Sequence, residues 1–277
     1  MRLLLIGYPL GHSMSPWIHQ QFISQHQLNA SYHLKEIKPD QFAQTIAALK
    51  QSGIDGFNVT IPYKEKIIDY LDDMDETAKR IGAVNTVVCK DGKWSGYNTD
   101  GAGYLASLKQ HFPDALHSDT RILIIGAGGA SRGIVFALLN EPFQSLTVTN
   151  RTEARAQTLV EQLESDRLIT VQSITEAEHN LKKFDLIINT TSVGMDPQSD
   201  ELPLDLAQLQ PQAIVSDIVY KPLKTKFLTE AESIGGQIHY GHEMLINQAK
   251  LSFQLWTGKI TDLTPILPEY TKKIKLK

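Results

Sequence analysis

The chain has 277 residues, enough for two domains with buried cores. With 42% apolar and 21% charged residues it is neither disordered nor fibrous, and a formal net charge of -4 leaves no electrostatic footprint for nucleic acid. The single cysteine, Cys89, rules out an internal disulfide and a four-thiolate zinc site, while the opening MRLLLIGYPLG is too short an apolar run for a secretory leader and no segment reaches membrane-span length.

A cytoplasmic protein with neither membrane nor nucleic-acid partners is therefore expected, with the basic end TKKIKLK a solvated tail. LLLIG (3–7) reads as a buried strand, and residues 16–28 as a helix with Ser15 as N-cap and Pro16 at its first position. Ser13 and Ser15 stand just after the strand, where open α/β sheets collect ligands; the competing reading is capping by Ser15 with Ser13 incidental. SYHLKEI (31–37) is a second strand, DQFAQTIAALKQSG (40–53) a helix closed by Gly53, and IDGFNVTI (54–61) a third strand.

Within GFNVTIPYKEK (56–66), strand alternation puts Phe57, Val59, Ile61 and Tyr63 on one side and Asn58, Thr60 and then Lys64 on the other. Pro62 ends the ladder and suits the first turn of a helix through KEKIIDYL, leaving Lys64 at the junction. Taken alone, the segment also reads as an edge strand with a solvated polar face. AVNTVVCKDGKWSGYNTD (83–100) is a hairpin turning at Asp91-Gly92 and carrying Asn85, Thr86, Asn98, Thr99 and Asp100.

A second strand-helix series begins at RILIIGAGGASRGIVFALL (121–139) and continues through SLTVTNR (145–151), EARAQTLVEQLE (153–164), DLIINTTSVGM (185–195), AIVSDIVY (213–220) and QIHYG (237–241). The domain boundary falls between 101 and 120, and HEMLINQAKLSFQLWTG (242–258) is a helix with Leu245, Ala249, Phe253 and Trp256 on one face. The pattern predicts an α/β fold, mostly parallel with an antiparallel piece.

In IIGAGGAS a strand precedes the glycines and a helix follows. Gly126 serves the tight turn and Gly128 lets the backbone approach a pyrophosphate on the helix N-terminus; Ser131 at the third fingerprint position leaves a ligand-free turn as the alternative. The next strand ends in TNRTEAR, where uncharged Asn150 replaces the acidic residue of NAD sites. Arg151 and Arg155 suit a 2′-phosphate, favouring NADP, unless both are surface charges; Thr152 either holds the phosphate or caps the helix. Ser13, Ser15, Asn58, Thr60, Lys64, Asn85 and Asp100 all fall near strand ends of the other domain, and a lysine beside an aspartate suits a proton relay for a hydroxyl losing hydride to NADP⁺.

HSMSP, NVTIPYK, GAVNTV, NTDG, GAGGAS, NRT, NTTSVGM, DIVY and GHEMLINQAKLSFQLW, in this order over nearly the whole chain, resemble the shikimate dehydrogenase family. The resemblance implies reversible NADPH-dependent reduction of 3-dehydroshikimate to shikimate, on the route to chorismate and the aromatic amino acids. It implies a discontinuous substrate domain (1–101 plus 242–277), a Rossmann-like NADP domain (102–241) and an active site in the cleft between them. Lys64 would be the catalytic lysine, paired with Asp100. Ser13 and Ser15 would bind the substrate carboxylate, and Asn58, Thr60, Asn85 and Asp100 would surround the ring hydroxyls, with Tyr220 and Gln248 completing the pocket.

Gly126, Ala127, Gly128, Gly129, Ala130, Asn150, Arg151, Thr152, Arg155, Thr190 and Ser192 would hold NADP, with Ile218, Gly241 and Met244 near the nicotinamide. Glu76 matches an acidic group near the cofactor, or is a solvated helix residue. No histidine, including His12 and His242, has metal-ligand spacing, so no metal is expected. A quinate/shikimate dehydrogenase of relaxed specificity and a noncatalytic NADPH- or shikimate-binding regulator are the rivals; the joint presence of Lys64 and Asp100 counts against the second. A monomer or homodimer is expected.

Overall fold

The apolar runs pair into two six-stranded sheets in a computed structural model that describes residues 1–275 apart from 12 and 164. Met1–Asp100 and Ile246–Pro268 form one compact unit; Gly101–Leu245 and the chain from Glu269 onward form the other.

In the first unit, β1 (Arg2–Gly7) leads to α1 (Ser15–Gln25), β2 (Ser31–Glu36), α2 (Phe42–Gln51) and β3 (Gly56–Val59). The short β4 (Asp73–Met74) and α3 (Glu76–Ile81) precede the hairpin of β5 (Thr86–Lys90) and β6 (Lys93–Tyr97). The strand order is β2-β1-β3-β5-β6-β4. Strands β2, β1 and β3 are parallel, and β5 is antiparallel to both neighbours. The hairpin turns where expected, with φ of 52° at Asp91 and 75° at Gly92, the pair of positive values a two-residue turn requires. Gly53 ends α2 with φ 65°, as a left-handed residue beyond a helix C-cap does.

Two local expectations fail. Ser15 is the first residue of α1 and Met14 its N-cap, and no side chain caps the helix; Ser13 Oγ accepts from the Ser15 amide at 3.2 Å. A proline fits anywhere in the first turn, where amides lack intrahelical partners, so Pro16 does not mark the first position uniquely. Nor does an α-helix start at Pro62. The Tyr63 amide donates to the Thr60 carbonyl at 2.9 Å and the Lys64 carbonyl accepts from Val84 at 2.8 Å, so the chain turns first and only a 3₁₀ helix, Lys66–Tyr70, follows. Phe57, Val59 and Tyr63 are buried as the alternation predicts, whereas Ile61, beyond the strand's end, is 61% exposed.

The second unit begins with α4 (Asp100–His111), whose first residue belongs to the first unit, so Asp100 opens a helix and does not lie on the hairpin. It continues through β7 (Arg121–Ile125), α5 (Gly129–Leu138), β8 (Ser145–Thr149), α6 (Glu153–Gln162), β9 (Ile169–Gln172), α7 (Ile174–His179), β10 (Leu186–Asn189), β11 (Ile214–Asp217), α8 (Lys226–Ile234) and β12 (Gln237–His239). The order β12-β11-β10-β7-β8-β9 is parallel throughout. This doubly wound order reverses between β7 and β10, the place where such sheets bind nucleotides. Apolar cores cover both faces, Ile122, Ile124 and Val148 facing one and Leu123, Ile125 and Val215 the other.

α9 (Gly241–Thr257) passes from the second unit into the first, and α10 (Leu267–Lys275) returns. Of the expected 242–277 piece, only Ile246–Pro268 groups with the first unit; residues 242–245 and the chain from Glu269 group with the second, where Tyr270 is fully buried and donates to the His242 carbonyl at 2.9 Å. The last two residues of the basic tail lie outside the described residues.

Gly56 on β3 is closely packed: a Cβ there would strike the Trp256 indole and lie 2.9 Å from the Val87 carbonyl oxygen. The Trp256 Nε1 donates to that oxygen at 2.9 Å, so the ring cannot retreat without breaking the bond. Gly56→Ala should cost about 1–3 kcal/mol, read as a lower urea midpoint at unchanged m-value; an unchanged midpoint would show that the indole has room to move.

Candidate active site

The polar side of β3 and the ends of the hairpin converge within the first unit. Lys64 follows the turn after β3, and Asp100 opens the helix after β6. Their side chains meet with Nζ 2.5 Å from Oδ2, 14% and 6% exposed respectively. Two charges taken from water need further partners. Asp100 has one in Asn85, whose Nδ2 donates to Oδ1 at 2.8 Å.

Asn85 is itself fixed from every side. Its Nδ2 also lies 2.8 Å from Thr99 Oγ1 and 3.3 Å from Gln248 Oε1, and its Oδ1 accepts from the Thr99 amide and the Thr86 hydroxyl, each at 2.9 Å. Asn58, on β3, is 5% exposed. Its Nδ2 reaches the Asn85 carbonyl at 3.1 Å, Thr86 Oγ1 at 3.1 Å and Ser252 Oγ at 3.0 Å, and its Oδ1 accepts from Tyr32 at 2.8 Å. Burial pushes the Tyr32 phenol upward, keeping it a donor. His19 stacks on that ring at 4.1 Å between centroids, and burial lowers its imidazole to about 3, so it remains neutral.

The structure brings Asn58, Lys64, Asn85, Asp100 and Gln248 into this connected cluster. Ser13 is half-buried and Ser15 buried at the start of α1. Thr60 is half-buried, its amide bonded to the Ile6 carbonyl at 2.9 Å. Glu76 stands apart, on the first turn of α3 with an 84% exposed side chain paired to Lys79 at 2.7 Å, as a solvated helix residue would be. The sequence reading missed Tyr32 and Ser252. Tyr32 alternates like any strand aromatic, but Ser252 lies one helical turn after Gln248 on an otherwise apolar face, a legible sign of a buried polar cluster.

In the second unit, Gly126 has φ 116° and a Cβ there would lie 2.5 Å from Thr190 Oγ1, so the turn itself demands glycine. Ser131, at the third fingerprint position, closes the turn by donating to the Gly126 carbonyl at 2.7 Å. Gly128 differs: it is exposed, and a Cβ would meet nothing within 4 Å. That open space beside the first amides of α5, with Gly129 and Ala130 half-buried, fits a pyrophosphate. Ala127 is buried under the turn.

Asn150 Nδ2 donates to the Thr152 carbonyl at 2.8 Å, bending the chain into α6. Thr152 is the N-cap residue of α6 but its side chain makes no capping bond. Arg151 and Arg155 are exposed, and neither is ion-paired among the described residues. Thr190 spends its hydroxyl on the Ile125 carbonyl at 2.7 Å, whereas Ser192 is exposed. Gly241 packs against the Ile218 backbone, Met244 is buried in the core, and Tyr220 is half-buried after β11. His12 lies outside the described residues, and no metal-holding group of three ligands occurs among those described.

The chain matches family profiles for the shikimate dehydrogenase substrate binding domain over residues 5–87, shikimate / quinate 5-dehydrogenase over 107–196, and the shikimate 5′-dehydrogenase C-terminal domain over 241–261. The shikimate dehydrogenase (NADP(+)) of Oceanobacillus iheyensis is 46% identical over 260 residues, 93% of this chain and 92% of its own. That of Geobacillus kaustophilus is 45% identical over 259 residues, 94% of this chain and 93% of its own. The shikimate 5-dehydrogenase of Thermus thermophilus, solved with NADP(H) and shikimate, has a TM-score of 0.87 at 32% identity over 99% of both chains. With motifs, fold and near-full-length identity in agreement, this chain belongs to the shikimate dehydrogenase family.

Proposed function

We propose that this chain is an NADP-dependent oxidoreductase that interconverts 3-dehydroshikimate and shikimate, in the supply of chorismate for aromatic amino acids. The observation that carries the chemistry is the largely buried Lys64–Asp100 pair, held at 2.5 Å and braced by Asn85. NADPH, when bound, supplies hydride to the ring ketone carbon. Lys64 gives its proton to the ketone oxygen, and Asp100 holds the ammonium on line and stabilises it; in the reverse direction the same pair takes the proton from the hydroxyl. A proton donor fixed before the substrate arrives needs little reorganisation in the transition state.

Ser13, whose oxygen already accepts from the Ser15 amide, keeps its O–H to donate to the substrate carboxylate, together with Ser15. Thr60, Gln248 and Tyr220 receive the ring hydroxyls, while Asn85, its amide spent on Thr86, Thr99 and Asp100, holds Asp100 in place. Asn58, with its amide spent inside the protein, serves by bracing the Asn85 carbonyl. The open space at Gly128 takes the pyrophosphate, and the two exposed guanidiniums of Arg151 and Arg155 take the 2′-phosphate, which NAD lacks. No described helix is long and apolar enough to cross a membrane. A cytoplasmic setting suits the lone Cys89, whose thiol burial pushes up to about 12.

The decisive assay follows absorbance at the NADPH band with shikimate or quinate and with NADP⁺ or NAD⁺. Rapid reduction with shikimate and NADP⁺ alone supports the reading. Equal turnover of quinate would favour the relaxed-specificity enzyme, and folded protein that turns over nothing would leave a ligand-binding regulator. Lys64→Ala should lower kcat about 10²- to 10⁴-fold with KM for shikimate nearly unchanged; a rise in KM alone would make Lys64 a binding residue. Arg151→Ala should raise KM for NADP⁺ about tenfold and leave KM for NAD⁺ as it was, and an equal effect on both cofactors would remove the clamp.

A further inference from the structure

Asp217, the last residue of β11, is fully buried. It pairs in register with Asn189, the last residue of β10, and both side chains are completely buried side by side. Three donors converge on its carboxylate. Oδ1 accepts from Asn189 Nδ2 at 3.0 Å and from the Val219 amide at 2.9 Å, and Oδ2 accepts from the Thr225 hydroxyl at 2.7 Å. Burial raises the carboxyl to about 7, while these donors pull it down.

Each donor belongs to a segment that carries expected cofactor residues. Asn189 Oδ1 accepts from the Thr191 amide at 3.0 Å and the Thr191 hydroxyl at 2.7 Å, and Thr191 Oγ1 accepts from Val193 at 3.1 Å. The turn bearing Thr190 and Ser192 is thus shaped by one asparagine, and that asparagine is oriented by Asp217. The Asn189 carbonyl also receives the Ile218 amide at 3.1 Å. On the other side, the Val219 bond sets the backbone between Ile218 and Tyr220, and Thr225 anchors the far end of that loop while capping α8 through the Leu228 amide at 3.3 Å.

We infer that Asp217 is a positioning residue for cofactor binding: its Oδ1 fixes the turn after β10 and the loop after β11 in one mutual geometry, so that both present their residues to NADP(H) together. This rests on the NADP-dependent reading proposed above. Carboxylates are costly to bury and remain only where converging donors compensate them. A brace needed only for stability could be met by apolar packing, whereas fixing two turns at once calls for an acceptor with several lone pairs.

The test measures NADPH dissociation constants by fluorescence, KM for shikimate at saturating cofactor, and melting temperature, all at mildly alkaline pH where the carboxyl is ionised. Asp217→Ala removes all three bonds and should weaken NADPH binding about tenfold or more, with KM for shikimate within about twofold of wild type. Asp217→Asn keeps the Oδ1 acceptor and should restore NADPH binding to within about threefold. Should Asp217→Ala fail to fold, Asn189→Ala breaks the same chain one step later and should show the same split. Variants that melt earlier yet bind NADPH as wild type does would make Asp217 a structural brace and overturn the inference alone. Wild-type protein that binds no NADPH would sink the functional reading, and the inference with it.

Discussion

The first unit is organised around the cost of keeping two charges, Lys64 and Asp100, largely out of water. Removing one partner of such a pair typically costs about 3–5 kcal/mol, so the rest of the cluster must hold both in place. Asn85 completes Asp100, Thr86 and Thr99 complete Asn85, and Ser252 on α9 ties both threonines to Asn58 at 2.7–3.2 Å. The hairpin, the strand end and α9 are therefore parts of one polar network. Thr86 and Thr99 are also bonded to Asn85, so α9 adds Ser252 and Gln248 to a network that the hairpin begins on its own.

Much of this was legible in the sequence, for a physical reason. Elements with a strong period or obligatory turn chemistry stand out, as at Leu3–Gly7, the Asp91-Gly92 turn and the glycine loop after β7. Weakly patterned pieces do not. β9 sits at a sheet edge with no residue fully buried, and α10 carries Glu269 and three lysines, its only buried residues being Tyr270 and Ile274. Boundaries were misplaced where backbone bonding overrode composition, as when the turn from Thr60 to Tyr63 displaced the expected helix. In the site, the motif residues cluster as expected, while their support Tyr32 lies outside every motif and Ser252, within the last one, was not singled out.

The two glycines of the fingerprint separate what a fold needs from what a ligand needs. Gly126 is demanded by its own φ of 116° and by Thr190 pressing on it, so it would be glycine with or without a cofactor. Gly128 has extended backbone and empty space where a Cβ would stand, so nothing in the protein asks for it. Under the proposed reading, that space, opening on the amides of a helix N-terminus, is where the pyrophosphate lies.

The same distinction applies to the polar residues. Asn58, Asn85, Asn189 and Asp217 are buried at or beside strand ends, with their hydrogen-bonding groups used mainly on other parts of the chain. Lys64, Thr60 and Ser192 remain at least partly accessible. A sequence motif mixes both kinds, because a ligand contact and the brace behind it are equally intolerant of change. Burial separates them: a saturated amide acts on a substrate chiefly through the groups it holds, and only those with unspent donors or acceptors meet the ligand directly.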